Sequence, residues 1–314
     1  MVWLHRYARL LVVATLVLVA AGGMVTSTNS GLSVPDWPTT YGYQMFSFPL
    51  SGMVGGIFYE HGHRLIASAV GMLTIGLVIL LWRLEPRAWV RRLGWLALAV
   101  VVTQGVLGGL TVLFFLPDAI SISHAGLAQI FFCLTISIAL VTSPGWRHPA
   151  APPVDDELLC RRTVTLTALV YIQILLGATM RHTGAGLAIP DFPLSYGRLV
   201  PPVWNAPIAI HFAHRLGALV VTVMVVLVVR RIFAEHRSHR ELVRPAWLLL
   251  TAVAGQIALG AAVVLTRRHE IVNTLHVATG ALVLGTSLFL TLRSFRVRLD
   301  QPAAARLSPI DHEA

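Results

Sequence analysis

Residues Gly31–Gly42 read Gly-Leu-Ser-Val-Pro-Asp-Trp-Pro-Thr-Thr-Tyr-Gly, and Gly186–Gly197 read Gly-Leu-Ala-Ile-Pro-Asp-Phe-Pro-Leu-Ser-Tyr-Gly. The near-identity marks a duplication, and working outward from it the register holds. His63-Arg64-Leu65 recurs as His214-Arg215-Leu216, Thr103–Gly108 resembles Gly255–Gly260, and His124 corresponds to His276. The correspondence covers most of the chain, so whatever one half builds, the other builds again.

Both copies are set in apolar sequence. Of 314 residues, 56% are hydrophobic and 12% charged. A soluble domain carries about 25% charged residues, so the solvent for most of this chain is lipid. Eight runs approach the ~20 residues that cross a bilayer core: Leu10–Val25, Ile57–Trp82, Leu93–Leu116, Ile120–Thr142, Thr163–Met180, Ala209–Arg230, Ala246–Thr266 and Ile271–Leu292. The expected fold is therefore an all-α integral membrane protein, with eight transmembrane helices as two pseudo-symmetric four-helix bundles. Residues 1–150 form the first bundle and 151–314 the second.

The net charge of +10 comes from 24 basic residues, all of them arginine. They do not gather beside aromatic residues, which argues against a nucleic-acid partner. They lie instead between the apolar runs, as a topology signal. Arg6, Arg9, Arg83, Arg87, Arg91, Arg92, Arg147, Arg161, Arg162, Arg230, Arg231, Arg237, Arg240, Arg244, Arg293, Arg296, Arg298 and Arg306 fall on one side. Only Arg181, Arg198, Arg267 and Arg268 fall on the other. Both termini are thus expected in the cytoplasm, with long external segments at 26–59 and 182–208. A cleaved signal peptide is the alternative reading of the first run. Its counterpart lies mid-chain, which favours its retention. An even number of helices per repeat gives both halves the same orientation.

Four of the 13 histidines recur in register: His63, His124, His214 and His276. All fall near the external ends of even-numbered helices, where ionisable groups are uncommon and usually functional. Zinc or copper would call for three or four ligands. Two imidazoles on facing helices suit the axial positions of a haem iron. The residue one turn after each histidine is small, Ala67, Ala128, Ala218 or Gly280, which leaves room for a ring. Arg64 and Arg215 are placed to pair with haem propionates; the alternative is that they pair with backbone carbonyls or lipid headgroups. His5, His148, His236, His239 and His312 read as cytoplasmic and solvated, and His182 and His269 as external helix ends.

The halves differ at Glu60, which stands where the second half has His211. A carboxylate one turn from a ligand histidine can move protons or stabilise a developing cation; the alternative is a partner for Arg64. His61 has no such counterpart. Cys133 and Cys160 lack partners at metal-ligand or disulfide spacing and read as small packing residues.

The Gly31–Pro38 motif, Glu60-His-Gly-His63-Arg64, His124, His214-Arg215 and His276 together resemble the haem A synthase family, over about Leu10 to Leu292. The resemblance implies oxidation of the C8 methyl of haem O to a formyl group by successive hydroxylations, giving haem A for cytochrome oxidase. It implies that His214 and His276 hold a haem B cofactor, that His63 and His124 flank the substrate haem O, and that Glu60 is catalytic. Haem O synthase is the implied supplier and cytochrome oxidase the acceptor; the electron donor is left open. Many bacterial members carry a cysteine pair in an external loop, and this chain has none there. The alternatives are a two-haem b-type cytochrome that only transfers electrons, and a small-molecule transporter with histidines in a proton path.

Overall fold

A computed structural model describes residues 2–147 and 156–300. The expected boundary at 150/151 lies outside them, as do His148, His312 and Arg306. The described residues form eight long helices: α1 (Val2–Ser27), α2 (Gly56–Leu84), α3 (Ala88–Leu113), α4 (Asp118–Val141), α5 (Glu157–His182), α6 (Ala206–Glu235), α7 (Arg240–Leu265) and α8 (Glu270–Asp300). All eight are long and apolar enough to cross a membrane. They extend past the apolar runs because a helix continues through the interfacial region, where polar side chains are tolerated. α7 starts before Pro245 rather than after it. The single hydrogen bond lost there falls near the helix start, within reach of water.

The first four helices pack in a closed cycle, α1–α2–α3–α4–α1, and the last four repeat it as α5–α6–α7–α8–α5. Each cycle has its own apolar core. Leu4, Leu11, Leu77, Leu81 and Phe131 centre the first, and Leu166, Val225, Val228, Leu249 and Leu284 the second. The halves meet along α1–α8, α4–α5 and α4–α8. α1 is thus an integral wall of the assembly. Large apolar side chains outside these cores face outward, Trp82, Trp95, Leu219 and Trp247 among them, as a lipid-facing surface requires.

The two ends of the assembly differ. At the linker end, charged groups tie helices together. Buried Glu85 accepts from Arg87 (Nε, 2.8 Å) and Arg147. Asp156 accepts from Arg231 at 2.8 Å and His236 at 2.9 Å. Arg293 pairs with Glu241 at 2.7 Å, and Arg296 donates to the Trp146 carbonyl at 2.6 Å. Burial opposes ionisation of Glu85 and Asp156, but the bonds from their arginine partners outweigh it and hold both carboxyls below their usual range.

The opposite, loop end carries the two copies of the opening motif, folded alike. Asp36 accepts from the backbone N–H of Tyr41 (2.7 Å) and Gly42 (2.9 Å). Asp191 accepts from Tyr196 (2.7 Å) and Gly197 (2.8 Å). Tyr41 and Gly42 have φ of 50° and 78°, Tyr196 and Gly197 58° and 74°, so one left-handed turn is built twice. An isolated bridge closes each, Thr40 with Tyr43 and Ser195 with Arg198.

Candidate functional site

The repeated histidines lie seven to nine residues into α2, α4, α6 and α8, roughly 9–12 Å below the loop end at 1.5 Å per residue. All four are half-buried. His63 lies within electrostatic range of His124, and His214 of His276, so each half brings together its own pair.

A rule not visible in sequence governs their packing. Each imidazole lies against a glycine of the preceding helix. A Cβ added at Gly22 would sit 3.1 Å from His63 Cε1, and one at Gly108 3.2 Å from His124 Cε1. At Gly177 it would sit 3.0 Å from His214 Cε1, and at Gly260 3.2 Å from His276 Cε1. These approaches are tighter than a side chain normally allows, so the glycines set where the rings lie. Gly280, expected to leave room for a ring, instead faces Gln256, whose Nε2 would be 3.2 Å from an added Cβ.

The recurring Gln-x-x-x-Gly spacing now has a purpose. Gln104 donates to the His124 main-chain oxygen at 2.8 Å, and the Gln256 amide lies 3.3 Å from His276 Nε2. Gln173 does more: its Nε2 donates to the His214 main-chain oxygen at 2.7 Å and lies 3.1 Å from Nδ1.

Arg64 and Arg215 clamp the loops. Arg64 donates to the carbonyls of Asp36 (2.8 Å), Thr39 (3.0 Å) and Val34 (3.2 Å). Arg215 donates to Leu194 (2.8 Å), Asp191 (2.7 Å) and Ile189 (3.3 Å). The backbone-carbonyl alternative therefore describes their bonds in this structure. Glu60 joins the clamp. Its Oε1 takes the Arg64 guanidinium at 2.6 Å and its Oε2 takes the Val34 N–H at 2.9 Å. In the second half His211 Nδ1 takes the Ile189 N–H at 3.2 Å. His61 is separate, bonding Thr40 Oγ1 at 2.9 Å and lying 5.0 Å from the Phe48 ring. Trp37 packs on Gly109, next to the glycine that backs His124, so the first loop reaches over the mouth of its bundle.

The loop ends are unequal in charge. Arg181, Arg198, Arg267 and Arg268 all belong to the second half, where the first half has Thr26, Tyr43, Phe115 and Leu116. Arg181 also bonds the Thr26 carbonyl across the interface between the halves. The cysteines stay apart from the site: Cys160 Sγ lies 3.1 Å from the Ser294 carbonyl, and Cys133 packs against the second core.

The paired histidines of each half are the residues that would hold a haem. His63, His124 and His276 each keep a buried Nδ1 without a protein partner, and such groups in a native interior call for a reason. Among the described residues no three His, Cys, Asp or Glu side chains converge as they would around a bare metal ion. Two crevices are not lined by these histidines, one of ≈ 560 Å³ on α7 and α8 around Gly255 and Thr279, the other between α4, α5 and α8.

Eight helices fit to span a membrane, in two halves that each place a repeated pair of histidines near the loop end, define a duplicated polytopic membrane protein. Residues 42–288 match the COX15-CtaA family, described as cytochrome oxidase assembly protein, and the chain belongs to that family. It is 30% identical to the haem A synthase of Symbiobacterium thermophilum, across 83% of this chain and 85% of that protein. It is also 30% identical to that of Shouchella clausii (94% and 96%) and 28% identical to that of Chelativorans sp. (90% and 88%).

Proposed function

We propose that the chain is a haem A synthase, a membrane oxidoreductase that converts the C8 methyl of haem O to a formyl group through successive hydroxylations and loss of water. The observation that carries the reading is the fourfold glycine-backed histidine arrangement, in a chain that matches haem A synthases along most of its length.

In this reading the bundle of the first 150 residues receives haem O between His63 and His124. His214 and His276 of the second bundle would hold haem B. A resident haem supplies redox chemistry when bound. The protein's own groups set the geometry: imidazoles fixed on facing helices, glycines that fix their depth, and loops clamped by Arg64 and Arg215 over each mouth. Guanidinium–carboxylate pairing also suits these arginines, or the second half's extra loop-end arginines, to haem propionates. Glu60 is the candidate catalytic residue. It is buried one turn from His63 and held by Arg64 and Val34, poised to handle a proton or steady positive charge beside the substrate. The arginine excess orients the linker end to the cytoplasm and the sites to the outside. Haem O synthase would supply the substrate and cytochrome oxidase would take the product.

The test is expression of the full chain with a source of haem O, followed by mass spectrometry of the extracted haems. Hydroxylated or formylated haem accompanying haem B is expected. Haem B alone, at two per chain and without product, would overturn the reading in favour of an electron-transferring cytochrome.

A further inference from the structure

The two histidine pairs differ where α1 and α5 face them. Gln173 lies against both the ring edge and the main chain of His214. The repeat register places Leu18 at the equivalent point of α1, and Leu18 packs against the apolar core of the first half. His63 Nδ1 is correspondingly buried without a partner. A second exchange accompanies the first. An added Cβ on Gly217 would run into Gln173 Oε1, whereas the first half has Ile66 there. One half holds an amide and a glycine where the other holds two aliphatic side chains.

We propose that Gln173 is a positioning residue for His214 that makes the second site the retaining one, and that Leu18 and Ile66 leave the first site free to exchange its haem. This rests on the reading of His214 and His276 as ligands of a resident haem. A group that bonds a metal-ligating histidine from outside the metal site fixes where its imidazole lies. Gln173 Nε2 donates to the His214 main-chain oxygen at 2.7 Å and lies 3.1 Å from Nδ1, so one amide bears on both the backbone and the ring edge of that histidine. A ring already held in place loses less freedom on ligation, and its complex dissociates more slowly. His63 has no such support, and a site that must admit a substrate and release its product gains from that.

The test uses the full chain purified in detergent. It measures haem B retained per chain, the rate of haem loss to a scavenging apoprotein, and the low-spin electron paramagnetic resonance signal. Gln173→Leu is expected to lose haem B roughly 10–100-fold faster, with shifted g-values. The reciprocal L18Q/I66G variant is expected to slow haem release from the first site. Unchanged release and an unchanged signal in Q173L overturn the proposal. If Q173L does not fold, unchanged release from L18Q/I66G overturns it instead. A wild type that retains no haem, or His214→Ala with undiminished haem, overturns the two-site reading itself.

Discussion

The carboxylate of Glu60 accepts the backbone N–H of Val34 at 2.9 Å, and His211 accepts that of Ile189 at 3.2 Å in the equivalent place. One position thus performs the same anchoring in both halves with different chemistry: a carboxylate beside the proposed substrate, an imidazole beside the proposed cofactor. The asymmetry read in sequence as functional is laid over a shared structural task, and substitutions can separate the two. Glu60→His supplies the second half's own acceptor. It is expected to keep haem content and loop order near wild type while formyl product falls by about 100-fold or more, the scale of a lost acid–base group. Product analysis beside haem content checks it, and normal turnover in this variant would remove Glu60 from the chemistry.

Gly177→Val tests the packing of the ligands. A Cβ there meets His214 Cε1 at 3.0 Å, and the further carbons of valine force the ring aside. Overpacking of this kind costs about 1–3 kcal/mol. Loss of the Soret band with preserved membrane insertion is expected. Gly255→Ala, where an added Cβ meets nothing within 4 Å, serves as the control and is expected to be silent.

Arg215→Lys tests the loop clamp. A lysine cannot span the three carbonyls that Arg215 reaches, because its single ammonium lacks the planar fork. The loss of charge-assisted bonds is expected to weaken loop closure by ~1.5–3 kcal/mol. Hydrogen exchange should rise over residues 189–198 and stay unchanged in the equivalent loop of the first half.

Acid should loosen both ends of the molecule. Hydrogen bonds from the Gly197 and Tyr196 N–H groups hold the Asp191 carboxyl below its usual range. Burial resists ionisation of Asp36, but bonds from Gly42, Thr39 and Tyr41 prevail. Glu85 and Asp156 are depressed by their arginine partners. A carboxyl with a lowered folded-state pKa contributes stability that is complete above its unfolded value, about 4, and is lost as pH falls through the folded value. The contribution of these carboxyls to thermal stability in detergent is therefore expected to be complete above about pH 5 and to decline below about 4. Asp156→Asn should flatten part of that decline.

The architecture was largely legible in the sequence because its causes are local. Eight apolar runs follow from the cost of carrying polar backbone and charge through lipid. The duplication is visible in the loop motifs, which recur because Asp36 and Asp191 fold the same left-handed turn. The four histidines could be named from their register alone. What surrounds them could not. That Gly22, Gly108, Gly177 and Gly260 back the rings, that Gly280 makes room for Gln256, and that Arg64 and Arg215 hold loop carbonyls are contacts between separate helices and loops, set by how ridges and grooves interlock. Gln173 was invisible as a special residue until folding placed it against His214, because residue spacing specifies a helix face and only the packed bundle specifies what that face meets.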